Sequence, residues 1–203
     1  MLDSFLIFAI MSTVTIRNAR PFDARFLAQC ILAGLHLADF DSQPNDNISD
    51  MLEKLTECES REDTLCTYSH TRIAEVDGQP AGALLSYPGA LYKDLRARTL
   101  KAYLPDIYAQ FANDDPETDP GEYYLDSLAV HPDYRKQGVG RALLEDAIRL
   151  GQSRGFDKIA LIVDTNYPHL VRIYESMGFI IADCRHVFGG DFQRMVYCVS
   201  PGC

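Results

Sequence analysis

A basic loop with two glycines is the part of this chain whose residue types and spacing could do chemistry. It lies in residues 123–144, YYLDSLAVHPDYRKQGVGRALL, where Arg135, Gly138 and Gly140 give the spacing R-x-x-G-x-G. A loop that enters a helix in this way leaves backbone N–H groups unpaired at the positive end of the helix dipole. Such a place binds anions, phosphate in particular. The spacing therefore predicts a phosphate site between Arg135 and Arg141.

Two common phosphate loops do not match this segment. It lacks G-x-x-x-x-G-K-[ST], and Gly140 is followed by Leu143 rather than by the third glycine of a dinucleotide fingerprint. The alternative that the residues leave open is a tight strand-to-helix turn with solvated cations.

The flanking residues place this loop between a strand and a helix. Residues 123–130 are rich in aromatic and other apolar side chains, which favours a buried strand, and Pro132 ends it. From Val139 onward the apolar residues recur at helical spacing along one face. Arg154 and Gly155 are typical of a helix end.

The other patterns predict a mixed α/β domain. Strands are expected at residues 14–17, 158–163, 179–187 and 192–199, with a β-hairpin over 71–87 that turns at Asp77-Gly78. Helices are expected at 48–58 and at 169–177, and Asn47 or Ser49 is available to cap the start of the first of these two. A first helix is expected after Pro21, with its apolar stripe at Phe22, Phe26, Cys30, Ala33 and Leu37.

Residues 88–122 are predicted to be an insertion of helical and acidic character. A helix over 91–112 is expected to bend or split at Pro105, and the loop DDPETDPGE after it has no core-forming residue. One hypothesis is a charged lid that selects a cationic acceptor; the other is a helix that covers a sheet edge or contacts a second copy in a homodimer.

Composition excludes some classes of function. The chain has 203 residues, enough for one full core, and its net charge of −10 argues against nucleic-acid binding and against an anionic membrane surface. The six cysteines form no C-x-x-C pair and no zinc-finger spacing, so no metal is predicted and reduced thiols in a cytoplasmic protein are the simplest interpretation. Residues 1–10 are apolar but too short to span a bilayer, and are interpreted as an extension to a single domain over 11–200.

A second segment carries a family resemblance together with the loop. Asn166 and the run IYESMGF at residues 173–179 follow the loop after a helix and a strand. In this order the two segments resemble the acetyl-CoA motifs of the GNAT (GCN5-related) N-acetyltransferase superfamily, [QR]-x-x-G-x-[GA] and L-Y-x-x-x-G-F. The resemblance is sharp over residues 123–179 and implies the GNAT fold, a central mixed twisted sheet flanked by helices.

The resemblance also implies which residues contact acetyl-CoA. The pantetheine arm would lie against the backbone of Leu128, Ala129 and Val130. Asn166 would contact the cofactor, although its distance to Tyr174 is one residue longer than usual and a plain helix cap is the alternative. The pyrophosphate would bind the loop residues Arg135, Lys136, Gln137, Gly138, Val139, Gly140 and Arg141.

Two further residues are candidates for proton transfer. Tyr174 matches the family tyrosine near the thioester sulfur, which can act as an acid; the alternative is packing against Phe179. Asp126 is the candidate base that the resemblance implies, because GNAT enzymes often place an acidic residue on this strand. Alternation places it on the same face as Tyr124. Glu122 and a water chain are its rivals, and a purely structural aspartate is the alternative.

These observations predict a cytoplasmic acetyltransferase that moves an acetyl group from acetyl-CoA to a primary amine by direct transfer. The insertion and acidic loop favour a small-molecule acceptor over a protein. Two alternatives stay open: a protein (lysine or N-terminal) acetyltransferase, and a non-catalytic acyl-CoA-binding regulatory module.

Overall fold

A mixed sheet of seven strands runs through the part of the chain that the computed structural model describes, residues 13–40 and 43–200. Its strands in spatial order are β1 (Val14–Asn18), β2 (Thr71–Val76), β3 (Gln79–Pro88), β4 (Tyr123–Val130), β5 (Lys158–Asp164), β7 (Gly190–Cys198) and β6 (Ile180–Val187). The β4–β5 pair is parallel and the other neighbours are antiparallel. The predicted α/β fold is thereby confirmed.

Helices cover both faces of this sheet. They are α1 (Ala24–Gly34), α2 (Asp46–Glu59), α3 (Tyr92–Tyr103), α4 (Pro105–Phe111), α5 (Val139–Ser153) and α6 (Pro168–Ser176). On one face, the apolar stripe of α5 packs against β3, β4 and β5 through residues such as Leu143, Leu84 and Ile159. On the other face, α1 packs against the sheet and α2 packs against α1. Each helix thus buries one apolar stripe.

The first two helices differ in detail from their sequence patterns. Phe22 lies in a short 3-10 turn before α1 and Leu37 lies after it, so both are exposed and the predicted stripe is wrong at its two ends. The buried face of α1 uses Leu27 and Ile31 as well as Cys30. The cap of α2 is Asn45, whose Oδ1 accepts the Ile48 N–H at 3.0 Å, and not Asn47 or Ser49.

The insertion is more firmly attached to the domain than its composition indicates. Pro105 does split the predicted helix into α3 and α4. In the acidic loop, however, Thr118 and Glu122 are buried, so the prediction of a loop without core residues is wrong there. The Glu122 carboxylate accepts hydrogen bonds from Thr118 Oγ1, from the Asp119 N–H and from Arg194 of β7. Pairing and hydrogen bonding make burial of this carboxylate tolerable.

Residues 1–12 lie outside the described residues, and with them the predicted extension over 1–10. The boundaries of a single domain over 11–200 and a cytoplasmic location stay predictions. None of the helices within 13–40 and 43–200 has the length and apolar character needed to cross a membrane.

Gly89 is required where the insertion meets β3. Its N–H donates to Glu122 O at 2.7 Å, and a Cβ built on Gly89 would lie 2.7 Å from Thr118 Oγ1 and still closer to the Asp119 carbonyl oxygen. Gly121, in the same segment, has open space at the corresponding position and ordinary backbone angles. The two glycines therefore form a matched pair for substitution.

We expect Gly89→Ala to lower the free energy of unfolding by about 1–3 kcal/mol, since the added methyl group must displace backbone. Gly121→Ala should stay within about 0.5 kcal/mol of the wild type, as surface substitutions do. Urea denaturation followed by circular dichroism measures both. Equal stabilities of the two variants would mean that the loop does not close tightly on Gly89.

Candidate functional site

The strands β4 and β5 separate part-way along the sheet. They pair only at Tyr123 with Ile159 and at Tyr124 with Ala160, whereas β4 continues to pair with β3 as far as Val130. A β-bulge marks the point of separation, because Leu85 pairs with Ser127 and Ser86 with Leu125. Asp126 is therefore the extra residue, and such a bulge bends its strand. A gap opens in the sheet from Leu125 onward.

The edge of β4 that faces this gap carries free backbone groups. The His131 N–H donates to Ala81 O of β3 at 2.9 Å. Because successive N–H groups of a strand point to opposite edges, those of Val130 and Leu128 point away from β3, toward the gap. These are the two residues whose backbone the sequence analysis assigned to the cofactor.

A cavity of about 350 Å³ lies beside the gap, on the face that α5 covers. The phosphate-loop motif and α6 form its walls. Its lining residues are Leu128, Val130, Tyr134, Arg135, Lys136, Gly138, Val139, Gly140, Arg141, Leu144, Leu170, Ile173, Tyr174, Ser176 and Met177. The cavity therefore joins an apolar wall to a cationic rim.

The loop at this rim has the backbone form that an anion site needs. Gly138 has φ +83° and stands directly before α5, so a residue with a Cβ would be strained there. Helix α5 begins at Val139, and its first-turn N–H groups lack intrahelical partners. Arg135 donates from Nε to Val130 O at 3.2 Å, and Arg141 donates from Nε to Glu145 Oε1 at 2.8 Å. Both arginines also line the cavity beside these N–H groups.

Three predicted cofactor residues do not line the cavity. Ala129 packs on the opposite face of the sheet, with Leu27 and Cys30. The side chain of Gln137 donates to Asp133 O at 2.8 Å, and that of Asn166 donates to Asp164 Oδ1 at 2.8 Å. Asn166 also does not cap α6, which has no side-chain cap.

Tyr174 of α6 forms part of the cavity wall and packs edge-on against Phe179, with ring centroids 6.0 Å apart. Burial raises the pKa of its hydroxyl to about 12. The hydroxyl is therefore protonated at neutral pH and is able to donate a proton. Tyr174 therefore packs on Phe179 as one interpretation of its sequence pattern predicts, and its part as an acid stays a prediction.

On the opposite face of the sheet, Asp126 lies beside Tyr124 as alternation predicts. Its carboxylate accepts hydrogen bonds from the Tyr87 hydroxyl and, at 2.8 Å, from Ser127 Oγ. Burial raises the pKa of Asp126 despite these two bonds. The rival base Glu122 differs, because Arg194 and Thr118 already occupy its carboxylate.

The sequence analysis missed two carboxylates near Asp126. Glu117 accepts from the Tyr124 hydroxyl at 2.6 Å and from the Tyr92 hydroxyl at 3.0 Å, and burial raises its pKa to about 7. Glu59, at the end of α2, is 1% exposed, and burial and the charge of Asp126 raise its pKa. The sequence signal for a polar cluster on this face was that strand alternation places Tyr124 and Asp126 on the same side.

The model of the Acetyltransferase (GNAT) family matches residues 35–179, which are 145 of the 203 residues and include the whole of the candidate site. The chain belongs to the GNAT family. The GNAT fold is also found in an N-acetyltransferase from Staphylococcus aureus Mu50, with a TM-score of 0.71 at 22% identity over 90% of this chain and 99% of that one.

Two curated relatives align over shorter segments. The [ribosomal protein bS18]-alanine N-acetyltransferase of Escherichia coli K12 is 42% identical over 64 residues, which cover 32% of this chain and 43% of that protein. The mycothiol acetyltransferase of Thermobispora bispora is 36% identical over 93 residues, 45% of this chain and 30% of that protein. The chain thus matches less than half the length of these relatives.

Gly140 offers a test of the anion site of this GNAT protein. It is the second residue of α5, and a Cβ there would make only ordinary contact, 3.5 Å from Val130 Cγ2. We expect Gly140→Asp to fold well, since an acidic residue favours the first turn of a helix. Acetyl-CoA should raise the melting temperature of the wild type and of the uncharged Gly140→Asn. It should fail to do so for Gly140→Asp; a full shift in that variant would place the cofactor elsewhere.

Proposed function

We propose that this chain transfers an acetyl group from acetyl-CoA directly to a primary amine. The observation that carries the proposal is the gap between β4 and β5, with a cationic loop on one face and the carboxylate of Asp126 on the other. A gap of this kind lets a donor and an acceptor meet through the sheet. The GNAT family membership supports the same reaction.

The cavity residues fit a long phosphate-bearing donor. In this proposal the loop residues 135–141 hold the pyrophosphate through N–H groups and positive side chains. The free edge of β4 binds the amide groups of the pantetheine arm, in the way that an added strand binds a sheet edge. Leu128 and Val130 provide that edge. Ala129 and Asn166 do not line the cavity, so the proposal gives them no role in binding the donor.

The proposed chemistry uses two proton carriers of the chain. A primary amine with a pKa of about 10 is protonated at neutral pH and needs a base before it attacks the thioester. Asp126 takes this proton, while the N–H groups of the β4 edge stabilise the oxyanion that forms. As the new N–C bond forms and the C–S bond breaks, Tyr174 gives a proton to the departing sulfur and regains one from solvent.

The acceptor class is the finer part of the proposal. One relative is named for a ribosomal-protein alanine and another for mycothiol, so the relatives support more than one class. A small acceptor is favoured because the carboxylates of Asp126 and Glu117 are half-buried, and Glu117 belongs to the insertion itself. Turnover of acetyl-CoA with an amine panel, followed by release of the free thiol, distinguishes an enzyme from a non-catalytic acyl-CoA-binding module.

Asp126→Asn should lower kcat/KM about 10²- to 10⁴-fold if the carboxylate is the base. A base acts when deprotonated, so wild-type kcat/KM should be full above the raised pKa of Asp126 and should fall as the pH falls through it. Ser127→Ala removes a hydrogen bond that lowers this pKa, so it should move the acid limb to higher pH and keep the plateau. Identical pH profiles in wild type and Ser127→Ala would contradict the assignment.

Tyr174→Phe keeps the ring that packs on Phe179 and removes the hydroxyl. If Tyr174 is the acid, kcat should fall about 10²-fold with the affinity for acetyl-CoA little changed. Steady-state rates and calorimetric titration measure the two quantities. Unchanged kcat in the variant would return Tyr174 to a packing role.

A further inference from the structure

Three carboxylates from separate elements converge on the sheet face opposite the cavity. Glu59 comes from α2, Glu117 from the insertion and Asp126 from the bulge of β4. Cys66 lies among them, since the pKa of its thiol is raised by burial and further by the charges of Glu59, Asp126 and Glu117. Here we call Glu59, Glu117 and Asp126 the carboxylate cluster.

Protein cations do not neutralise this cluster. Within residues 13–40 and 43–200, no ion pair of up to 4.0 Å involves any of its three members. Arg96 of α3 lowers the pKa of Glu117, but it donates to Phe111 O at 3.2 Å and stacks on Phe188. His70 lies beside Tyr87, and burial and the charge of Arg154 lower its pKa and favour the neutral form. No cation among the described residues therefore forms an ion pair with these three carboxylates.

Three buried polar atoms in and around the cluster have no partner among the described residues. One is Oε2 of Glu59, a cluster member that is 1% exposed. The others are Nε of Arg96, whose charge acts on Glu117, and Nδ1 of His70, whose ring lies 5.8 Å from that of Tyr87. Buried polar atoms in native proteins nearly always have a partner, so orphaned ones indicate a ligand or water that belongs there.

Aromatic rings form the walls beside these carboxylates. Tyr87 and Tyr124 are in edge contact with centroids 5.7 Å apart, and Tyr92 and Tyr124 likewise at 6.2 Å. Tyr87 donates to Asp126, while Tyr92 and Tyr124 donate to Glu117. Carboxylates held by tyrosines suit an ammonium group, which donates three hydrogen bonds and is attracted to aromatic faces.

We infer that the acceptor carries two ammonium groups on a short aliphatic chain, as a diamine or polyamine does. The inference rests on the proposed function: the amine that reacts lies at Asp126, and the distal ammonium is bound by Glu117. The rings that hold these two carboxylates, Tyr87 and Tyr124, are in direct contact, so one short chain reaches both. The net charge of −10 also favours the approach of a dication.

The binding of the distal ammonium should depend on pH through Glu117. Its pKa of about 7 means that the carboxyl loses its proton as the pH rises through neutrality. The distal amine stays charged in this range, because its own pKa is about 10. The KM for a diamine should therefore fall as the pH rises through 7, and a monoamine should lack this dependence.

The test compares putrescine with n-butylamine and 4-aminobutanol as acceptors. In the wild type, kcat/KM should favour putrescine over the aminoalcohol by about tenfold or more, since the neutral end leaves Glu117 unpaired. Glu117→Gln should abolish this preference, because it should raise the KM for putrescine more than the KM for n-butylamine or 4-aminobutanol. Asp114→Asn is the matched control, because its carboxylate lies in the same loop but accepts from the Phe188 N–H.

A second variant addresses the possibility that Glu117→Gln fails to fold. Tyr92→Phe removes a hydrogen bond that lowers the pKa of Glu117, so it should move the pH dependence of the putrescine KM to higher pH. Thermal melts of both variants establish that they are folded.

The outcomes separate this inference from the proposed function. Three results would overturn the inference and leave acetyl transfer standing. The first is equal kcat/KM for the three amines, and the second is a putrescine preference that survives in Glu117→Gln. The third is a peptide with N-terminal alanine that is a better acceptor and does not depend on Glu117. If acetyl-CoA binds but no amine is acetylated, the proposed function fails. Calorimetric titration of the CoA complex with putrescine then decides: Glu117-dependent binding supports the dication site, and no binding overturns it.

Discussion

The separation of β4 from β5 is the constraint on which the rest of the site depends. Two parallel strands that stayed paired would close the sheet and isolate its faces from each other. The extra residue at Asp126 bends β4 after Leu125, and the pairing with β5 ends one residue earlier, at Tyr124. One bulge thus exposes the backbone edge of β4 and places a carboxylate at the opening between the two strands.

The two faces of the sheet then have opposite charge. On the α5 side, free N–H groups and the side chains of Arg135 and Arg141 suit an anionic donor. On the other side, Asp126, Glu117 and Glu59 suit a cationic acceptor. In the proposed reaction the anionic donor lies on the cationic side, the cationic acceptor lies on the acidic side, and the two meet at the gap. The insertion contributes by providing Glu117 and by its attachment to β7 through Glu122 and Arg194.

Local sequence patterns were sufficient to predict the elements around the candidate cofactor site. The loop from Arg135 to Gly140 and the helix after it are consecutive in the chain, so spacing alone predicts how they lie together. The carboxylate cluster could not be found in this way, because Glu59, Glu117 and Asp126 are distant in sequence and meet only through tertiary packing. Glu117 lies in the acidic loop that the sequence predicts to have no core-forming residue. Its burial results from hydrogen bonds to Tyr92 and Tyr124, which no periodicity indicates. The prediction that Phe22 and Leu37 belong to the apolar stripe of α1 was wrong for a related reason, since a helical period does not say where the helix begins and ends.

Amide hydrogen exchange along β4, resolved residue by residue by NMR, tests the central claim most directly. If the gap is the donor site, the N–H groups of Leu128 and Val130 should exchange readily in the free protein and become protected on addition of acetyl-CoA. Those of Tyr123 and Tyr124, within the paired part of the strands, should be protected throughout. Protection confined to the loop over 135–141, with no change at Leu128 and Val130, would contradict the account, because the donor would then bind without entering the gap.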